Sequence, residues 1–312
     1  MNRHRVFAAL RLSLSVVVLM GTLSPAAVSA CACGCGVFEV GTSSMFPNKP
    51  GGAVSLEYDF LNQNQNWSGT SKAPADDNDD KHLRSNFFTA GILYMFDRSW
   101  GVMAEFPYTS RYFKTTGDDG TIGSFTHSAV GDIRVGGVYS GFSPDMSSGL
   151  TFGVKLPTGD FSDPDFDRDT SIGTGSTNIL LGAYHMGRVA GAGAWAWFTN
   201  AQLDQPALIA GGYRPGGEVD GALGVYYDGW RLGGVKIAPL AQAVGSWRGR
   251  DSGVLADSPD SGYSRVILAP GVEFDADGVR VYGDVGFPVY QNVNGNQLAA
   301  AQLYKLNISY DF

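Results

Sequence analysis

Beyond the first two dozen residues the chain lacks any long hydrophobic run: nothing later approaches the ~18 consecutive apolar residues that a spanning helix needs. A helical membrane protein is excluded. Basic excess is also missing, since 22 Lys and Arg stand against 30 Asp and Glu, giving a net charge of -8 and a pI near 4.9. Phosphate backbones require a positive surface, so nucleic acid is not expected as a partner. Histidine is scarce, with only His4, His82, His127 and His185. His127 and Ser128 are neighbours on a predicted strand, where successive side chains point to opposite faces, so they do not form a nucleophile and base pair. Gly173-Thr174-Gly175 and Gly216-Gly217 are too short to cradle a phosphate, and no helix is predicted after them. No enzymatic constellation emerges, and no catalytic residue is expected.

Cysteine is nearly absent, and its three copies are confined to Cys31-Ala32-Cys33-Gly34-Cys35. Arg3, Arg5 and Arg11 precede an apolar stretch from Leu12 to Leu23, and Val28-Ser29-Ala30 supplies the small residues of a cleavage site. Residues 1–30 therefore read as a secretory signal peptide, with 31–45 a cysteine-containing periplasmic tail. An odd number of thiols in an exported chain leaves three readings open. Val28-Ser29-Ala30-Cys31 resembles a lipobox, which makes Cys31 a lipidation site. Alternatively Cys31, Cys33 and Cys35 together grip a soft metal, copper or zinc, or recruit a periplasmic redox partner. The third reading is a flexible tail without a role.

What the chain has in abundance is alternation. Its last residues, Leu306-Asn307-Ile308-Ser309-Tyr310-Asp311-Phe312, put Tyr304, Leu306, Ile308, Tyr310 and Phe312 on one face and Lys305, Asn307, Ser309 and Asp311 on the other. About twelve such stretches of roughly ten residues follow one another from residue 46 to 312, separated by Gly, Asp, Asn, Ser and Pro. The predicted connectors alternate in length: tight after even-numbered strands, long and acidic after odd-numbered ones. That is the pattern of an outer-membrane barrel, with short periplasmic turns and longer outer loops. The fold class is thus all-β, a transmembrane antiparallel up-and-down β-barrel of about 12 strands. Both barrel termini are expected in the periplasm of a Gram-negative cell, and the aromatic-ended last strand is expected to engage the barrel-assembly machinery. A mean hydropathy of only -0.06 agrees, because lipid-facing and lumen-facing residues cancel.

Alternation also assigns faces. Val279, Val281, Val285, Phe287 and Val289 are expected to meet outer-membrane lipid, with Arg280, Tyr282, Asp284 and Tyr290 inside. Trp100, Trp195, Trp197, Trp230 and Tyr227 are expected at the interfacial aromatic girdles. The lumen collects Glu57, Glu105, Asp132, Arg134, Lys155, Glu218, Asp220, Lys236, Arg265, Glu273, Asp284 and Lys305, because Lys or Arg facing lipid near the midplane costs about 2–4 kcal/mol. Cross-strand pairing of these charges and a pore lining that selects solutes are both open, and Lys155 with Asp132 is an expected pair. The acidic connectors, among them Asp160 to Asp169, read as solvated loops. Divalent cation binding at the surface is the alternative: Asp163-Pro164-Asp165-Phe166-Asp167-Arg168-Asp169 is spaced like part of a calcium loop, though it lacks the central Gly and final Glu.

Glu105-Phe106-Pro107-Tyr108, Val130-Gly131-Asp132-Ile133-Arg134-Val135-Gly136, Gly153-Val154-Lys155-Leu156-Pro157-Thr158-Gly159 and Ile172-Gly173-Thr174-Gly175-Ser176-Thr177-Asn178 resemble phrases of the outer-membrane channel family associated with the meta-pathway of phenol degradation. The resemblance implies a barrel transporter that passes small, aromatic or hydrophobic solutes by passive diffusion. The cysteine cluster departs from that family's pattern. It supports an alternative function as a structural or interaction barrel whose tail binds a metal or a redox partner.

Overall fold

The computed structural model describes residues 46–312 apart from Asn48 and Asp118, so the expected signal segment and Cys31, Cys33 and Cys35 lie outside the described residues. Strands form wherever β-branched and aromatic residues alternate with polar ones, and Gly or Asp ends them. In chain order they are β1 (Gly51–Gly69), β2 (Asp80–Met95), β3 (Trp100–Thr116) and β4, which comes in two pieces, Ile122–Val130 and Arg134–Tyr139. Then follow β5 (Ser148–Lys155), β6 (Ser176–Arg188), β7 (Trp195–Ile209), β8 (Glu218–Tyr227), β9 (Val235–Arg248) and β10 (Tyr263–Ala276). The last ribbon, Val279–Asp311, folds back on itself at Asn294-Gly295, where Gly295 takes φ +52°. Its first arm, β11 (279–293), pairs with β10, and its second, β12 (296–311), pairs with β1.

All pairings are antiparallel, and each strand pairs with its sequence neighbours. β8 pairs with both β7 and β9, and β12 with β1, so the sheet closes on itself and has no edge for most of its height. The first and last strands of the barrel begin and finish at one end of it: Gly52 and Phe312 exchange backbone hydrogen bonds of 2.8 and 2.9 Å. That end is called terminal below, and the opposite one distal.

The outer wall is apolar. Leu56, Phe88, Ile92, Val102, Phe106, Leu150, Phe152, Leu181, Leu223, Val225, Leu268, Leu306 and Ile308 are all exposed, while Asp59, Lys155, Asp204, Glu218, Asp220, Glu273 and Lys305 are buried. A water-soluble barrel has the reverse polarity. At the terminal end, exposed or half-exposed aromatic rings touch in chains: Trp100 to Tyr139 at 4.7 Å, Tyr139 to Phe142 at 5.0 Å, Trp195 to Tyr227 at 5.4 Å and Tyr227 to Trp230 at 5.7 Å between centroids. This is the interfacial girdle, and it holds four of the five rings assigned to it by sequence.

Three expectations need correction. Tyr290 faces outward, 47% exposed. The register between β10 and β11 jumps from Val266–Tyr290 to Ile267–Pro288, and this one-residue bulge reverses the alternation there. The connectors after β3 and β11 are short rather than long, at 117–121 and 294–295. Polar residues counted as loop instead continue the pairing: Gln63 of β1 donates to the Leu298 carbonyl at 2.9 Å inside the barrel. Lys155 and Asp132 do not pair, for reasons that lie in the distal loop.

Candidate channel lumen

The lumen differs along its axis. At the terminal end Met95, Val138, Met146 and Tyr184 form a buried cluster, joined by Leu93, Met103, Met186 and Phe46. Phe46 enters from the chain end and stacks on Tyr184 at 4.7 Å. Beside this cluster lies a cavity of about 200 Å³, whose other walls include Glu105, Asn200, Gln202, Arg280, Asn307 and Asp311. One side of the space is thus thioether and ring, the other amide and charge.

Charged groups deeper in the strands are neutralised in pairs. Lys305 of β12 is buried, with Glu57 at 2.8 Å and Asp59 at 3.7 Å on the neighbouring β1. Asn307 donates to Glu57 at 3.3 Å. Across the adjoining strands Gln242 donates to Asp284 at 3.2 Å, and the Tyr282 hydroxyl also donates to Asp284. On the opposite wall Lys155 meets Asp204 at 2.5 Å, and Asn178 donates to the same carboxylate. Arg134 pairs with Glu105 at 3.3 Å. Tyr263 donates to Glu218 at 2.7 Å, and Arg265 lies over the Tyr263 ring at 4.2 Å. Asp220 and Glu273 are buried on the inner face, while Lys236 lies at the terminal rim, opposite Asp275 in register. Between buried side chains, removing one partner of such a pair leaves an uncompensated charge.

The distal mouth is built from the connector at residues 156–175. Asp132 organises its base from the break in β4. Its Oδ1 accepts from the Gly159 amide at 2.9 Å, and its Oδ2 accepts from the Thr174 amide at 2.9 Å and from the Thr174 hydroxyl at 2.5 Å. This explains why Asp132 is unavailable to Lys155, which takes Asp204 instead. The two ends of the loop cross at Gly159 and Gly173, where a Cβ on Gly173 would lie 2.3 Å from the Gly159 backbone. Only glycine fits that crossing. Further in, buried Arg111 of β3 donates to the carbonyls of Thr170 at 2.5 Å and Ser171 at 2.9 Å. Phe166 at the loop's middle packs with Leu83, Phe113 and Leu298 inside the barrel. Arg168 is stacked between Phe161 and Tyr213, 4.8 Å from each ring centroid. The loop is therefore folded into the mouth.

Two loop carboxylates depart from their ordinary acidity. Hydrogen bonds from the Ser162 amide, with help from His127, hold Asp160 below its usual range. Burial, reinforced by the Asp251 carboxylate, pushes Asp169 up to about 6. Asp251 is itself buried and accepts from Arg248 at 2.8 Å, the Tyr213 hydroxyl at 2.7 Å and the Gly216 amide at 2.7 Å, which ties the neighbouring distal loops together.

Sequence reasoning missed Arg111, Asp204, Arg248 and Asp251 as interior groups. Arg111 and Asp204 fall on the inward register of their strands, a signal available from alternation. Asp251 sits in a connector, and nothing local marks it. Ser148 and His185, joined by a 2.7 Å hydrogen bond between Oγ and Nδ1 on the β5–β6 pair, also went unnoticed, and the His185 ring packs edge-on against Trp197 at 5.1 Å.

No family profile matches the chain, and neither does any curated protein sequence. Among solved structures, the chain is similar to an outer membrane channel from Pseudomonas putida at a TM-score of 0.65 and 15% identity, over 88% of this chain and 100% of that one. The β domain of the Bordetella autotransporter BrkA aligns at a TM-score of 0.49 with 12% identity, over 84% of this chain and all of its own. The toluene transporter TodX of Pseudomonas putida aligns at 0.43 with 12% identity, over 86% of this chain and 91% of that one. The last two scores are too low to carry an argument. The first agrees with the closed ring, the apolar wall and the polar interior: the fold is that of an outer-membrane β-barrel.

Proposed function

We propose that the protein is a passive outer-membrane channel for small solutes, with both barrel termini in the periplasm and no chemical step. One observation carries the reading: a closed barrel with an apolar wall encloses a cavity of about 200 Å³, apolar on the Met95, Met103 and Tyr184 side and polar on the Glu105, Arg280 and Asn307 side. A space of that size and mixed character suits a compact, weakly polar or aromatic solute better than a sugar chain or a peptide. The fold it shares with a solved outer membrane channel supports the same class of function. The paired charges around Lys305 and Lys155 then set which solutes cross, and the loop at 156–175 sets how often the mouth is passable.

Outer-membrane lipid is the partner of the wall. The outward row Tyr304, Leu306, Ile308, Tyr310 and Phe312 is the feature through which the barrel-assembly machinery would take hold of the last strand. Liposome swelling with purified protein tests the channel reading. Small phenols or benzoates should enter faster than into protein-free vesicles, while disaccharides should not. Equal rates with and without protein would remove the proposal. Mass measurement of the mature amino terminus separates an acylated Cys31 from a free or metal-loaded tail.

A further inference from the structure

Backbone pairing to the barrel starts at Gly51, opposite Met95, and Gly52 exchanges hydrogen bonds with Phe312. Phe46 and Pro47 lie ahead of that point, so no strand fixes their backbone. The Phe46 ring nevertheless goes inside the barrel. It lies nearly parallel to the ring of Tyr184, at 14° and 4.7 Å between centroids, and meets Phe198 obliquely at 6.4 Å. Met95, Val138 and Met146 complete the surroundings of the pair. Pro47 is buried beside it, while Lys49 is exposed and comes only to 3.9 Å from Asp311.

Stacked aromatic rings attract because the positive edge of one lies over the negative face of the other. Tyr184 thus presents a flat face that favours a planar ring over a saturated one of equal size. The unbranched thioethers of Met95 and Met146 adapt to the outline of whatever ring lies against them. Phe46 and Tyr184 also border the cavity of about 200 Å³, whose other wall carries Asn200, Gln202, Asn307 and Arg280. A ring stacked on Tyr184 can therefore keep a polar substituent in the same space, turned toward amides and a guanidinium.

The hold on Phe46 is slight beside that on the strands: one stacked ring, the packing of Pro47 and a long ion pair. If the ring left with nothing in its place, Tyr184 and the two methionines would border a void and lose those contacts. A solute ring on the same face removes that cost, so one stacked contact is exchanged for another. The tether makes Phe46 a standing competitor, at an effective concentration of about millimolar order.

We infer that the Tyr184 face, with Met95 and Met146, is a binding subsite for a single benzene ring, occupied by Phe46 and taken by an aromatic solute that displaces it. The inference rests on the channel reading proposed above and names its solute class, one unfused aromatic ring with a small polar or anionic group. Phe46 is then an internal block at the terminal mouth, relieved by the solute itself.

The test uses the full chain folded in detergent, with Cys31, Cys33 and Cys35 replaced by Ser. Benzoate is the probe and cyclohexanecarboxylate its control, alike in charge and size but without an aromatic face. Ligand-observed NMR titration should show benzoate binding about fivefold or more tighter than cyclohexanecarboxylate. Phe46→Ala should tighten benzoate binding about threefold or more, since the tethered competitor is gone. Tyr184→Leu should abolish the preference for benzoate. A thiol introduced as Pro47→Cys, buried beside a seated Phe46, should react with a methanethiosulfonate reagent about threefold or more faster when benzoate is added, and no faster with cyclohexanecarboxylate. Heat-modifiable gel mobility establishes that each variant is a folded barrel, and Phe46 and Pro47 lie outside the strands, so their variants leave the closed sheet intact. No saturable benzoate binding to either the parent or Phe46→Ala, equal affinity for the two probes, or an unchanged preference in Tyr184→Leu overturns the subsite. Benzoate affinity unaltered or weakened by Phe46→Ala, or Pro47→Cys no more reactive with benzoate present, overturns the displacement. Solute passage is not read in these measurements. Benzoate binding in a barrel without conductance would remove the channel reading and leave the subsite, whereas conductance without benzoate binding would do the reverse.

Discussion

The two ends of this barrel are held together by different means. The terminal end has short turns and a ring of touching aromatics outside, consequences of residues adjacent in sequence or in neighbouring strands, and inside it a methionine-rich cluster that gathers Met95, Val138 and Tyr184 by apolar packing. The distal end depends on polar contacts between distant segments: Asp132 to Thr174, Arg111 to Thr170, and Asp251 to both Tyr213 and Gly216. Apolar contacts tolerate small displacements, whereas buried hydrogen bonds are costly when unmade. The distal end is therefore where a single substitution should change function without unfolding the barrel, and the walls are where it should cost stability.

The largest effect is expected inside the wall. Lys305→Met leaves Glu57 and Asp59 buried without their cation, and about 3–5 kcal/mol of stability should be lost, read from urea unfolding in lipid or detergent. Next comes the lipid face. Ile92→Arg, on the lipid-facing side of β2 and four residues inward from Phe96 at the rim, should cost about 2–4 kcal/mol. At the mouth, Arg111→Ala removes a charged donor to two loop carbonyls, worth about 1.5–3 kcal/mol for a hydrogen bond to a charged group. Its loss should appear as faster proteolysis within 156–175 and raised conductance, with the barrel still folded.

The mouth should also respond to pH through Asp169. Its acidity is weakened when the loop is folded in, so the closed loop holds the proton more tightly than the open one. Closure is therefore most favoured below the ordinary carboxylate range near 4, loses ground as pH rises toward about 6, and is level above that. Asp160, held below its usual range, contributes in the opposite sense and only at more acid pH. Loop proteolysis should accordingly quicken between about pH 4 and 6, and Asp169→Asn should flatten that rise. The smallest effect is expected at the terminal rim, where Phe96→Arg, just past the end of the strand that carries Ile92, should cost only about 0–1 kcal/mol because the interface admits charge. A similar penalty at Ile92 and Phe96 would mean that the wall does not face hydrocarbon.

The contrast between the ends also governs how much could be read from the sequence. Alternation placed Val279, Phe287, Leu306 and Ile308 outside and Glu57, Lys155, Asp284 and Lys305 inside, because a period of two decides the face without reference to anything distant. It failed at Tyr290, where a one-residue bulge resets the count, and bulges leave no reliable local mark. It also mistook the Asn- and Gln-rich stretches near Gln63 and Gln297 for loop, since their pairing rests on interior partners rather than on hydrophobicity. Asp132 was singled out within a phrase that resembles a channel family and assigned to the pore, and only the fold reveals that it accepts from the next two of those phrases at Gly159 and Thr174. The gathering of His127 with Asp160 and Asp163 was likewise invisible, because more than thirty residues of chain separate the histidine from its partners.

The central claim is that solutes cross through the cavity beside Met103, inside a wall whose outer face meets lipid. A direct measurement is single-channel conductance in planar bilayers, using chains with Cys31, Cys33 and Cys35 as Ser and one new thiol, Met103→Cys or Phe106→Cys. A charged methanethiosulfonate reagent should block or step down the current through Met103→Cys and leave Phe106→Cys unaffected. No conductance from either folded barrel, or block at Phe106→Cys with none at Met103→Cys, would contradict the account.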